Sequence, residues 1–136
     1  MAEMEFIKFS RDKVVGKAQV ELLLTEKNID TIMSLALEGG IGYWAVLNNS
    51  TPDFDSKPNN RFTSEWATQL ILDGKSIEFY DVEDEEERWT LDLEKIVKGF
   101  TQNYKERPFD NNLENGDATT GDCIIQYALF GKLVYG

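Results

Sequence analysis

Apolar residues recur along the chain with two periods, and each predicts its own kind of element. Ile29, Ile32, Met33 and Ala36 fall at i, i+3, i+4 and i+7, the spacing that gathers one stripe on a helix. Thr25 precedes them as an N-cap able to accept a backbone N–H, Glu26 places an acid in the first turn, and Gly39 and Gly40 follow as a stop. The same spacing returns at Leu93, Ile96, Val97 and Phe100 behind Asp92, with Pro108 barring continuation. Glu65 to Leu72, opened by Thr63 or Ser64 and ended by Gly74, predicts a further helix. Another is predicted behind Thr119 or Thr120, burying most of Ile124, Ile125, Tyr127, Ala128 and Leu129 and ending at Gly131.

Period two predicts strands. Glu5–Phe9 and the alternating Ala18–Leu22 read as a hairpin or two sequential strands, with a turn near Gly16. Gly42–Leu47 predicts a short strand. Ser76–Val82, with Ile77, Phe79 and Asp81 in alternate positions, predicts a strand that turns through acids and returns as Arg88–Leu91. Asn48–Asn60 holds Pro52, Pro58, two Asp and four Asn, which is loop chemistry, and Phe109–Gly116 is also polar and loop-like. No repeat or linker interrupts residues 1–136, so they read as a single domain. The expected class is α+β: an antiparallel sheet of several strands with about four helices packed mainly on one face.

Charge narrows the function. The chain has 25 acids against 14 bases, a net charge of −11. That excess repels phosphate backbones, so direct nucleic-acid binding is disfavoured; it suits a highly soluble surface or, more specifically, one that imitates nucleic acid and docks on a basic partner. The N-terminus lacks the apolar core of a signal peptide, and no apolar run reaches membrane length, so a cytosolic protein is expected.

Composition also removes most catalytic chemistry. There is no histidine and one cysteine, Cys123. Ser-His-Asp and Cys-His catalysis are thereby excluded, as are a Cys-rich zinc site and an internal disulfide. Cys123 lies beside Ile124 and Ile125 and reads as a buried, inert thiol. A carboxylate pair such as Asp73 with Glu78 retains the capacity for acid–base work. No catalytic residue, metal or cofactor is assigned.

Three features suit binding. Glu38-Gly39-Gly40-Ile41-Gly42-Tyr43-Trp44 combines three glycines in four positions with two aromatics. It reads either as a helix end with packed rings or as a ligand wall on which a base stacks. The arginines Arg11, Arg61, Arg88 and Arg107 stand out against the acids as planar forks suited to phosphate or carboxylate, or as ordinary ion-pair partners. Asp81–Glu87 carries six acids in seven positions. It lacks the central glycine and alternation of a calcium loop, and reads as a solvated hairpin tip or as a patch, Glu83, Asp84, Glu85, Glu86 and Glu87, recognised by a basic partner.

The Glu38–Trp44 string and the C-terminal run Asp122–Gly136 together resemble a group of small, mostly uncharacterised proteins from phages and prophages of Gram-positive bacteria. The likeness covers most of residues 20 to 136. It includes the Ala36–Gly40 helix end, the Tyr43-Trp44 pair, the Ile77–Asp81 strand, Trp89 and Leu91–Lys95, and it is loose between Asn48 and Asn60. It implies a phage origin, and accessory proteins of that kind often counter host defence. Among them are the sponges that sequester cyclic nucleotide or cyclic ADP-ribose signals, as Thoeris-inhibiting proteins do. The matching string contains no arginine.

Two expectations follow for the host cytosol. In the first, a non-enzymatic, homo-oligomeric anti-defence protein sequesters a nucleotide signal: Tyr43, Trp44 or Phe79 stacks the base, at roughly 1–3 kcal/mol per ring, and Arg61, Arg88 or Arg107 holds phosphate. In the second, an anti-CRISPR-type inhibitor presents the acids of Asp81–Glu87 to a basic nucleic-acid channel of a host effector.

Overall fold

Each long helix is seated by a polar device at its start and an apolar face along its length. A computed structural model describes residues 11–136. Helix α1 (Glu26–Leu35) opens with Thr25, whose side chain accepts from the Asn28 N–H while Asn28 Oδ1 accepts from the Thr25 N–H at 2.9 Å. Such reciprocal capping satisfies two otherwise unpaired donors and contributes ~1 kcal/mol. Ile29, Ile32 and Met33 are buried, as their spacing requires. The helix does not stop at Leu35 but runs into a wide π-type turn, Ala36–Gly40, closed by the Ile41 N–H on the Ala36 carbonyl at 3.0 Å and kinked at Glu38 and Gly39, the latter with φ 141°. An L-side chain rarely adopts that φ, so glycine is demanded there.

The strands β1 (Ala45–Leu47), β2 (Ile77–Asp81) and β3 (Arg88–Leu91) form an antiparallel sheet in the order β1-β2-β3. Ala45 faces Asp81 and Leu47 faces Phe79 in the first pair, and Phe79 faces Trp89 in the second. Ile77, Phe79 and Leu91 are buried, and the sheet meets α3 (Thr63–Leu72) through β2 and α5 (Ala118–Phe130) through β3. The class is α+β as expected, with three strands among the described residues.

Helix α5 is the centre. It packs against α4 (Leu93–Glu106), α1 and the π turn. Its approaches are too close for side chains. A Cβ on Gly121 would lie 2.5 Å from Ala36 N, and one on Gly99 of α4 would collide with the Ile124 carbonyl and the Ala128 side chain. Ile124 and Ile125 are fully buried in a single apolar cluster that also holds Ile32, Met33, Trp44, Ile71 and Ile96.

Several local expectations are corrected. Ala18–Leu22 is neither strand nor helix: the alternation is present, but no described segment pairs with it, and a strand needs a ladder partner. Glu5–Phe9 lies outside the described residues. The Asn48–Asn60 loop contains a one-turn helix, α2 (Pro52–Asp55), which begins with proline at its first turn and buries Phe54. Neither Thr63 nor Ser64 caps α3, whose N-cap is Phe62. The N-cap of α5 is Asp117, not Thr119 or Thr120; Asp117 Oδ1 accepts from the Thr120 N–H at 3.0 Å, and Thr120 takes the returning role in the box. Val97 lies on the exposed side of α4, because the stripe buries only Ile96 and Phe100 fully. Phe109–Gly116 contains two 3₁₀ turns.

Candidate functional site

The Tyr-Trp pair and the last helix, far apart in sequence, meet at one carboxylate. Residues 41–44 turn from the π segment toward β1, with Trp44 N–H bonded to the Ile41 carbonyl at 3.0 Å. This seats the Trp44 indole in the interior, 1% exposed. Its Nε1 donates to Asp122 Oδ1 at 2.8 Å, the Tyr43 hydroxyl donates to Asp122 Oδ2 at 2.6 Å, and Gln126 Nε2 donates to Oδ1 at 2.8 Å. Asp122 is buried, so these donors replace its hydration.

Gln126 extends the network to the C-terminal segment. Its Oε1 accepts from the backbone N–H groups of Val134 and Tyr135 at 2.7 and 2.8 Å, and its Nε2 reaches the Tyr135 carbonyl at 3.1 Å. Tyr135 then stacks on Trp44, with ring centroids 4.8 Å apart and 8° between planes, and donates its hydroxyl to Asp81 Oδ2 at 2.8 Å. Trp89 and Phe130 complete the cluster at 5.6 Å from Trp44. A face of Trp44 that is covered by Tyr135 is not open to a base.

Both phenols hold their protons unusually tightly. Burial first, then the hydrogen bond and charge of Asp122, pushes Tyr43 up to about 12; burial, then Asp81, pushes Tyr135 up to about 12. A phenol of that kind is a poor base or nucleophile at neutral pH. Because the folded values exceed the ordinary 10.0, the folded state keeps its proton longer than the unfolded one. The stability these bonds supply is complete below pH 10.0 and is lost as pH rises through about 12. A spectrophotometric phenolate titration is expected to show two of the five tyrosines ionising near 12, with unfolding over the same range. Ordinary titration of all five in a folded protein would contradict the network.

An open apolar concavity lies elsewhere. Leu37, Ile41, Ala45, Leu47, Phe62 and Phe79 line a groove of ≈ 380 Å³, with the Phe62 ring 74% exposed at its lip. Its polar side is Glu38, whose Oε1 accepts from the Ser64 hydroxyl at 3.0 Å. Phe79 is the one proposed ligand residue that lines this groove.

The arginines are not brought together. Arg61 pairs with Glu65 at 3.2 Å beside a separate, polar depression; Arg88 pairs with Glu78 at 2.6 Å; Arg107 pairs with Asp110 at 2.7 Å and reaches Asn103. Each also lies over an aromatic ring, Trp66, Tyr80 or Phe109 respectively. None lines the apolar groove. Arg11 is exposed.

The acidic turn is ordered by its own carboxylates. Asp81 Oδ1 accepts from the Glu83 N–H at 2.7 Å and Asp84 Oδ1 from the Glu86 N–H at 3.0 Å, while Arg88 Nε holds the Glu85 carbonyl. Residues 82–88 are all exposed, and Glu83, Asp84, Glu85, Glu86 and Glu87 have no ion pair among the described residues. Glu78 is held below the usual carboxylate range by Asn48 and then Arg88, and Asp73 accepts instead from Gln69. Burial pushes the Cys123 thiol up, which disfavours the reactive thiolate.

Asp122 and Gln126 escape a reading that scores only apolar periodicity. Their signal is two hydrogen-bonding side chains at i and i+4 that bracket the apolar run Cys123–Ile125 of α5. Among the described residues no three His, Cys, Asp or Glu side chains converge as metal ligands, and no helix is long and apolar enough to cross a membrane. The chain matches no protein-family model, no curated protein and no solved structure.

Proposed function

We propose that this chain works by binding rather than catalysis, as an acidic anti-defence protein of phage type that docks on a basic nucleic-acid channel of a host effector. The observation that carries the reading is the β2–β3 turn: its five exposed acids have no ion pair among the described residues and stand on a backbone ordered by Asp81 and Asp84, whereas Arg61, Arg88 and Arg107 are each occupied within the chain. A preorganised acidic tip loses little entropy on docking and is steered by long-range charge. The host cytosol is the setting this reading requires, and the resemblance to phage accessory proteins supplies the anti-defence context.

The test is inhibition of host defence nucleases by the purified chain over a salt series. The triple reversal Glu85→Lys, Glu86→Lys, Glu87→Lys is expected to weaken inhibition by roughly 100-fold at low salt, with the wild-type effect fading as salt rises. Inhibition that survives the reversal, or is indifferent to salt, sinks the acidic-face reading.

A second reading has its own observation. The apolar groove, floored by Phe79 and lipped by the exposed Phe62, has room for one planar ring, so sequestration of a cyclic nucleotide or cyclic ADP-ribose signal moves there, away from Tyr43 and Trp44. It ranks second because no cationic side chain lines the groove to meet phosphate. Calorimetry with those ligands decides it: heat that is lost in Phe62→Ala supports it, and absence of heat removes it.

A further inference from the structure

We propose that residues 14–24 form a self-association arm that pairs antiparallel with the same segment of a second copy, about a two-fold axis through Gln19. The arm has the composition of a strand but no ladder partner among the described residues. Residues 13–25 contain neither helix nor strand, and none of residues 11–24 shares a backbone hydrogen bond with another described residue. Most of its apolar side chains nonetheless face solvent, with Val15 94% and Leu23 84% exposed and Val14 and Val20 little less so, while Leu24 at its end packs against the core. A run of this kind, whose N–H and C=O groups meet no backbone partner among the described residues, is a template for strand addition.

The charge order selects a second copy as the occupant. In an antiparallel pair the residues opposite one another share a face. With the axis at Gln19, Lys17 of each copy faces Glu21 of the other, so two opposite-charge pairs form. Val15 faces Leu23 twice on the same side, and Gln19 faces itself. On the other side Ala18 faces Val20 and Val14 faces Leu24. Moving the axis one residue either way sets Lys17 and Glu21 opposite Gln19 or an apolar side chain, and the complementarity is gone. Placing the axis at Lys17 instead sets that lysine against itself. The pairing is isologous and therefore closes as a dimer. Ala18, Val20 and Leu22 lie beside Thr101, Tyr104 and Lys105 of α4, which gives the paired ribbon a helix to rest on. The inference stands apart from the proposed function, because neither the acidic turn nor the apolar groove contributes to it.

Sedimentation equilibrium of the full chain tests it, with circular dichroism as the folding control, since the altered residues are exposed. The wild type is expected to dimerise. Lys17→Glu and Glu21→Lys should each weaken the dimer roughly tenfold or more by setting like charges opposite. The double swap, Lys17→Glu with Glu21→Lys, should restore it. Gln19→Cys should form an intermolecular disulfide on oxidation, because that residue meets its own copy on the axis while Cys123 is buried. A monomeric wild type, single reversals that leave the dimer unchanged, or a double swap no better than the singles each overturn the proposal.

Discussion

Asp122→Ala is expected to cost about 3 kcal/mol of stability, read as a lowered urea midpoint with tryptophan fluorescence as the probe. The carboxylate is buried and receives three donors, from Tyr43, Trp44 and Gln126. Its removal strands them unequally. The Tyr43 hydroxyl belongs to an exposed residue and turns to water, so Tyr43→Phe alone should cost only about 1 kcal/mol. The Trp44 N–H has no such escape, because the ring is enclosed by Tyr135, Trp89 and Phe130. Hydrogen bonds to a charged group are worth about 1.5–3 kcal/mol, and a buried donor left unpaired carries its full desolvation penalty. Asp122→Asn should fall between the two, since an amide nitrogen then faces at least one donor. The loss should also free the C-terminal segment, because Gln126 is held by Asp122 and itself holds Val134 and Tyr135. A cost near zero for Asp122→Ala would mean that packing alone seats Trp44.

The second large effect is steric. Gly121→Ala should destabilise by about 3 kcal/mol, the upper part of the range for overpacking a close-packed core. The added methyl would meet backbone, with Ala36 N at 2.5 Å and Leu35 C at 2.6 Å, and backbone cannot rotate away as a side-chain end can. Gly99→Ala should be comparable, since it drives α4 off the Ile124 carbonyl of α5. Both glycines lie inside helices, where alanine is intrinsically favoured by about 1 kcal/mol, so an observed loss is net of that gain. Gly42→Ala is the control: nothing lies within 4 Å of its added methyl, and a change near zero is expected. Stabilisation by Gly121→Ala would show that α1 and α5 are less tightly apposed than described.

Several elements were legible because their signals are local. The capping chemistry of Thr25 and Asp92 was readable, since each side chain bonds a backbone N–H three residues on. Where two local signals competed, the reading failed: Thr119 and Thr120 are good caps in isolation, but Asp117 reaches the Thr120 N–H and Thr120 is drawn to Asp110 at 2.6 Å. The Ala18–Leu22 alternation was real as a pattern and misleading as an element, because periodicity records which side chains share a face and says nothing about a ladder partner.

The site was less legible than the fold. Composition excluded histidine and disulfide chemistry, and the acidic tip was readable as a solvated turn, because both depend on residue type alone. Whether an arginine is available, or a tryptophan exposed, depends on which neighbours the fold delivers. Arg88 meets Glu78 because β2 and β3 pair antiparallel, and Trp44 is covered by Trp89, Phe130 and the Tyr135 that Gln126 holds against it. The sequence by itself determined the four long helices, the β2–β3 hairpin, the charge and the chemistry that is impossible, since these follow from short-range periodicity and counting. Tertiary structure alone decided that Asp122 joins the two motifs, that the open groove lies under Phe62 rather than beside Trp44, and that the arginines stand apart. Those outcomes rest on contacts between residues as many as 83 positions apart, which no local pattern encodes.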